Sequence, residues 1–116
     1  MMPKHPRFYF EDILDCITKI ELYTQNLTLE TFLADSKTQD AVVKNIIVIG
    51  EATRLIPEQI RNHYAELPYK AIIGMRNILV HNYLGTDHEE VWRTIQDELP
   101  PLKTQVIHIL QEMKNQ

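Results

Sequence analysis

Apolar residues recur every three or four positions along almost the whole chain, and no window of four to eight residues alternates as a half-buried strand would. The spacing predicts a first helix from near Pro6, a residue suited to a first turn, with Phe10, Ile13, Leu14, Ile17 and Ile20 on one face and an end around "QNLT". A short helical turn, "LETFLAD", is predicted after Thr28 as its cap. Ser36 is then expected to open a second long helix, with Gln39 as its capping-box partner. Val42, Ile46, Ile49, Thr53 and Ile56 form its apolar stripe, and Val43, Ile47 and Val48 widen it enough to make this the central helix. Gly50 offers a place for a neighbouring backbone to come close, and Pro57 ends or turns the segment.

"PEQIRNHYAELP" reads as a short connecting helix and loop. Pro68 starts the next element, "PYKAIIGMRNILVHNYLG", with Gly85 expected as its C-terminal stop. Gly74 inside it weakens the helix and marks a bend or a close contact. Thr86 and Glu89 supply a second capping box. The last stripe runs His88, Val91, Trp92, Ile95, Leu99, Leu102, Val106, Ile109 and Met113. It keeps phase through Pro100 and Pro101, which predicts two helical pieces meeting at a kink. The sum is an all-α, up-and-down bundle of four to five helices in a single domain over residues 1–116.

At 116 residues the chain can build one core and has no room for a second. Its longest apolar run, residues 46–49, is far too short to span a bilayer. The stretch "MMPKHPRFYF" lacks the uncharged core of a secretion signal, and the single Cys16 suits a reducing compartment, so a cytoplasmic location is expected. No pair of histidines stands three or four apart and Cys16 is remote from them, so no metal site and no cofactor is expected. A formal charge of −4 argues against a protein that wraps duplex nucleic acid by bulk attraction. Any grip on phosphate must come from a focused site.

That site is sought in "RNILVHNYLG", where Arg76, Asn77, His81 and Tyr83 interrupt a run of Ile, Leu and Val. At about 100° per residue, Ile72, Met75, Ile78 and Leu79 gather on one side as a core face. Arg76, Asn77 and His81 fall on the other, with Ile73 and Val80 among them. A helix apolar nearly all round is normally covered all round, and a second copy across a two-fold axis is the simplest cover. Asn77 and His81 are neighbours on the helix surface, so the amide can orient the imidazole. Arg76 and His81 stand roughly 140° apart around an ideal helix and about 7.5 Å along it, a spacing suited to holding one substrate from two sides. A guanidinium brings a fixed charge and a forked donor for phosphate, and an imidazole moves protons near neutral pH.

"RNILVHNY" resembles the motif of Arg, four residues, His, one residue, Tyr found in the HepT-like toxins of the HEPN superfamily. "RFYFEDILDCITKIELYT", "TFLADSKTQDAVVKNIIVIGEATRLIP", "PYKAIIGMRNILVHNYLG" and "VWRTIQDELPPLK" resemble the corresponding family blocks in the same order, covering most of the chain. The resemblance implies a homodimeric helical endoribonuclease that needs no metal and directs a ribose 2′-hydroxyl at the adjacent phosphate. It implies His81 as general base or acid, Arg76 as the phosphate-binding group, and Asn77 as the residue that orients them. A minimal nucleotidyltransferase antitoxin is the implied partner, silencing the toxin by transferring AMP to Tyr83. Asn82 stands where the resemblance leads one to expect Asp.

Plainer roles exist for each of these residues. Arg76 can serve as an interface ion pair, His81 as a buried histidine near a helix end, Asn77 as a backbone-bonding amide, and Tyr83 as an amphipathic core-edge side chain. Glu51 is expected to pair with Arg54. At the level of function, the sequence leaves open a non-catalytic helical docking subunit for a nucleotidyltransferase, which the acidic balance favours, and a plain scaffold dimer.

Overall fold

Pro6 sits in the first turn of α1 (Pro6–Thr24), where a missing N–H costs nothing, and His5 caps that turn through Nδ1, which accepts from the Arg7 N–H at 3.1 Å. The structure, a computed structural model, describes residues 4–116; of the N-terminal stretch read above, Met1, Met2 and Pro3 lie outside the described residues. Phe10, Ile13, Ile17 and Ile20 of α1 are fully buried, while Leu14 packs at the margin. Each such side chain is worth about 1.5–3 kcal/mol when removed from water, so this face alone commits α1 to the core.

The partner of that face is α3 (Ser36–Arg54), which lies between α1 and α5 (Tyr69–His81) and is central, as its wide stripe predicts. Val42, Val43, Ile46, Ile49 and Ala52 are buried along it, and Ile47 and Val48 are half-buried. Thr53, also fully buried, donates its hydroxyl to the Ile49 carbonyl at 2.7 Å, so the buried oxygen is satisfied within the helix. Short α2 (Leu29–Leu33) presents Phe32 to Trp92, with ring centroids 5.2 Å apart. α4 (Glu58–His63) turns the chain back, and Arg61 from it donates to the carbonyls of Thr53, Arg54 and Ile56, closing the end of α3.

Two cap assignments differ from the sequence reading, for one physical reason. Asp35, not Ser36, caps α3: its carboxylate accepts from the Thr38 N–H at 3.0 Å and the Thr38 hydroxyl at 2.6 Å. Those bonds hold the Asp35 carboxyl below its usual range. Gln39, expected to complete the box, instead donates to the carbonyls of Phe32 and Leu33 and finishes α2. At α6 (His88–Arg93), Asp87 accepts from the N–H groups of Glu89 and Glu90, while Thr86 turns its hydroxyl to the Tyr83 carbonyl. In both places a carboxylate adjacent to the hydroxyl is the stronger acceptor and takes the cap. Thr28 does cap α2, with Thr31 returning the bond to its backbone.

The junction near the prolines is a wide turn. Residues Thr94–Glu98 are π-helical and lead without a break into α7 (Leu99–Lys114). The Leu99 N–H reaches back to the Thr94 carbonyl, five residues away, where an ordinary α-turn would bond one residue nearer. Pro100 and Pro101 follow and cannot donate, so the ladder is loosened just where it loses bonds, and the apolar stripe stays in phase. Val91, Ile95, Leu99, Leu102, Val106 and Ile109 are buried in sequence along it. Counting α6 to α7 as one rod, the described residues form four long helices and two short ones, an all-α up-and-down bundle. No helix among them is long and apolar enough to cross a membrane.

The glycines separate cleanly. A Cβ on Gly50 would lie 2.2 Å from Arg76 Cβ and 2.6 Å from Arg76 Cγ, so this position must be bare for α3 and α5 to approach. Gly74, expected at a bend or a close contact, has no heavy atom within 4 Å of such a Cβ. α5 stops at His81 with Asn82 as its cap, short of Gly85, which lies in a single 3-10 turn (Tyr83–Gly85) and has no positive φ. The Asn82 carboxamide fills the place of the absent Gly85 side chain, 2.7 Å from where its Cβ would be. Replacing Gly50 by Ala is expected to force α5 outward and cost about 1–3 kcal/mol of unfolding free energy, the usual penalty of overpacking. Urea denaturation checks this; an unchanged midpoint would show that the two helices are not pinned there.

Candidate functional site

α5 takes its main support from α3, and this one-sided packing decides which of its residues reach solvent. Leu79 is buried, and Ile72 and Met75 pack at the core margin. Ile78, placed by the helical wheel on the core face, is instead 67% exposed, because a helix resting on one neighbour buries a narrower arc than the wheel assumes. Val80, Tyr83 and Leu84 are exposed as well, Leu84 entirely. The end of α5 and the turn after it thus carry an uncovered apolar surface beside the polar residues of interest.

Arg76 leaves α5 over the bare backbone of Gly50. Its stem is thereby trapped between the helices, and its side chain keeps only 27% of its surface exposed. One terminal nitrogen, Nη2, lies 3.2 Å from Glu51 Oε2 on α3. The other, Nη1, donates to Asn77 Oδ1 at 3.0 Å. Nε is buried and has no hydrogen-bond partner. With five N–H donors on the guanidinium, these contacts leave N–H groups on the terminal nitrogens for an external anion.

Glu51 is shared. Arg54, three residues on along α3, donates Nη2 to Oε1 at 2.5 Å and Nε to Oε2 at 3.4 Å. The hydrogen bond from Arg54 is the largest influence holding the Glu51 carboxyl below the usual carboxylate range, and Arg76 adds to it. The expected Glu51–Arg54 pair is therefore present, and the contact to Arg76 is an addition that the sequence did not reveal. Local spacing shows i to i+3 partners, whereas Glu51 and Arg76 meet only because α3 and α5 cross at Gly50.

His81 is the last residue of α5 and is exposed, with no hydrogen-bond partner among the described residues. The expected orientation of its imidazole by Asn77 is not made; the Asn77 carboxamide oxygen accepts from the Arg76 guanidinium instead. Tyr83, in the turn that follows, is 52% exposed. Asn82 donates Nδ2 to the Gly85 carbonyl at 3.3 Å, and the Thr86 hydroxyl donates to the Tyr83 carbonyl at 2.8 Å, so the turn carrying Tyr83 is braced from both ends. The site thus gathers a fixed cation, a free imidazole and an accessible phenol within two helical turns, a set able to bind phosphate, move a proton and accept a transferred group.

Among the described residues, the ligand atoms of Glu66, His108 and Glu112 come within 4.8 Å of one another, on the exposed surface. Histidine spacing does not show this grouping, because Glu66 joins it through the fold, where Gln105 Nε2 donates to the Glu66 carbonyl at 3.3 Å. It includes none of Arg76, His81 and Tyr83.

Residues 13–109 match the family described as ribonuclease HepT-like. The chain is 37% identical over 102 residues to a Thermococcus cleftensis protein named as a probable ribonuclease HepT, covering 88% of this chain and 93% of that one. It is 38% identical over 112 residues to a Caldanaerobacter subterraneus subsp. tengcongensis protein named as an RNase candidate, covering 96% and 99%. A Methanocaldococcus jannaschii protein, likewise named as an RNase candidate, is 36% identical over 114 residues, covering 97% and 94%. No solved structure matches the chain. Matched over most of its length, this helical chain belongs to the ribonuclease HepT-like family.

Proposed function

We propose that the chain is a metal-independent endoribonuclease, the toxin of a toxin–antitoxin pair, that acts as a homodimer and is silenced by transfer of AMP to Tyr83 from a minimal nucleotidyltransferase antitoxin. The observation that carries this reading is the Arg76 guanidinium, fixed by Glu51 and Asn77 with N–H groups to spare, on the helix that ends in the unpartnered His81. In the proposed reaction a ribose 2′-hydroxyl oxygen forms the new bond to phosphorus and the bond from phosphorus to the 5′ oxygen breaks. His81 takes the hydroxyl proton or returns one to the leaving oxygen. Arg76 binds the phosphate and stabilises the charge that develops on it, and Asn77 sets the angle of Arg76. The products are a cyclic 2′,3′-phosphate and a free 5′-hydroxyl.

The homodimer is supported by what α5 leaves uncovered. Ile78 is exposed one turn after Gly74 on the same face of α5, and Gly74 keeps an open surface there although it costs helix stability by about 1 kcal/mol relative to Ala. A second copy laid against this side would bury that surface and bring two sets of Arg76 and His81 into one cleft. Tyr83 suits modification because its hydroxyl stands on an exposed, braced turn, and a nucleotide planted there would block RNA by charge and bulk.

One observation favours a second reading, a non-catalytic docking subunit for a nucleotidyltransferase: the formal charge of −4 gives RNA no broad attraction to the chain. Cleavage decides between the two. Arg76→Ala is expected to lower the rate on single-stranded RNA by about 10²–10³-fold and His81→Ala by about 10²–10⁴-fold, both with unchanged helicity. Cleavage by both variants at the wild-type rate would refute the enzymatic reading. Excess EDTA is expected to leave the wild-type rate unchanged, and a rate lost in EDTA and restored by a divalent cation would refute the metal-free chemistry. Sedimentation equilibrium should give twice the chain mass for wild type and a lighter species for Ile78→Asp; a wild-type monomer would remove the shared cleft. Tyr83→Phe should still cut RNA but, unlike wild type, gain no AMP when incubated with a minimal nucleotidyltransferase and ATP, and equal mass gain by both would exclude Tyr83 as the acceptor.

A further inference from the structure

Two guanidinium groups and one carboxylate meet on the surface between α3 and α5. Arg54 holds Glu51 with two donors, Nη2 on Oε1 at 2.5 Å and Nε on Oε2 at 3.4 Å. Arg76 holds the same carboxylate through a single nitrogen at 3.2 Å. Two cations share one anion, so the cluster retains a positive charge in a chain whose formal charge is −4. Neither arginine can shed its proton, so the division of Glu51 between them is a matter of geometry. Without Arg54, Glu51 and Arg76 would form a closed, neutral pair, and a phosphate would have to compete with the carboxylate for the same N–H groups.

We propose that Arg54 is a positioning residue that draws the Glu51 carboxylate toward itself and so keeps the terminal N–H groups of Arg76 available to an RNA phosphate. Glu51 then acts as a measured tether: close enough to fix the Arg76 guanidinium over Gly50, and sufficiently engaged elsewhere not to neutralise it. The inference rests on the reading that Arg76 binds the substrate phosphate. Arg54 suits the role because its side chain is half exposed and is absent from the hydrophobic core. The contact that Arg61 makes is to the Arg54 backbone carbonyl, which a side-chain substitution retains.

Steady-state cleavage of a short single-stranded RNA by the full chain tests this. Arg54→Gln is expected to raise KM about fivefold, the scale of a partly exposed charge pair, with kcat nearly unchanged. Arg54→Lys, which keeps the charge, should stay near wild type. The double variant Glu51→Gln/Arg54→Gln should show a lower KM than Arg54→Gln, because the competing carboxylate is gone while Asn77 and the packing over Gly50 still hold Arg76. The KM ratio should also shrink as salt rises toward ~1 M, where charges are screened within about 3 Å; a purely structural role for Arg54 would show neither the rescue nor the salt dependence. If the double variant is as impaired as Arg54→Gln, Arg54 meets the phosphate directly and the shielding role is overturned. If Arg54→Gln matches wild type while Arg76→Ala has lost cleavage, this inference alone falls. If wild type neither binds nor cuts RNA, the proposed function falls and takes this inference with it.

Discussion

Everything distinctive about the site depends on how closely α3 and α5 approach at Gly50. The absence of one side chain lets Arg76 lie across the α3 backbone, and a Cβ at 2.2 Å from Arg76 Cβ could not be accommodated there. Trapping the stem of a long side chain removes most of the freedom that normally makes a surface arginine an imprecise ligand. The same crossing brings Glu51 within reach of Nη2. Packing and electrostatics are therefore one event: the backbone approach that stabilises the bundle also aims the guanidinium.

The second constraint is the one-sided support of α5. A helix buried on both sides would have sealed His81 and Tyr83 in the core, where an imidazole needs a partner and a phenol needs a bond, as Tyr69 shows. The Tyr69 hydroxyl donates to the Tyr64 carbonyl at 2.7 Å, and burial pushes its pKa up to about 12. His81 and Tyr83 have no such enclosure. Their exposure fits chemistry with something outside the chain, and the exposure of Ile78 beside the open face of Gly74 is the feature that asks for a second surface.

The long helices were legible because burial on one face imposes a period of about 3.6 residues, and the stripes of α1, α3 and α7 obey it. Gly50 was legible as a close approach, though not as the seat of Arg76, since the crossing partner lies elsewhere in the chain. Caps were read wrongly at Asp35 and Asp87 because motif spacing counts hydroxyls and overlooks a carboxylate beside them. Ile78 was misplaced because periodicity gives the direction of a face but not its width. The pairing expected of Asn77 was not legible, since it bonds Arg76 and not His81.

The central claim is that Arg76 and His81 of α5 grip one RNA phosphate. A crystal structure of the chain with a short 2′-deoxy oligonucleotide, which lacks the attacking hydroxyl and stays intact, tests it most directly. A phosphate oxygen is expected within hydrogen-bond distance of an Arg76 terminal nitrogen, with an imidazole of His81 facing the position where the 2′-hydroxyl would stand. An oligonucleotide seated away from the end of α5, with Arg76 still engaged only by Glu51 and Asn77, would contradict it.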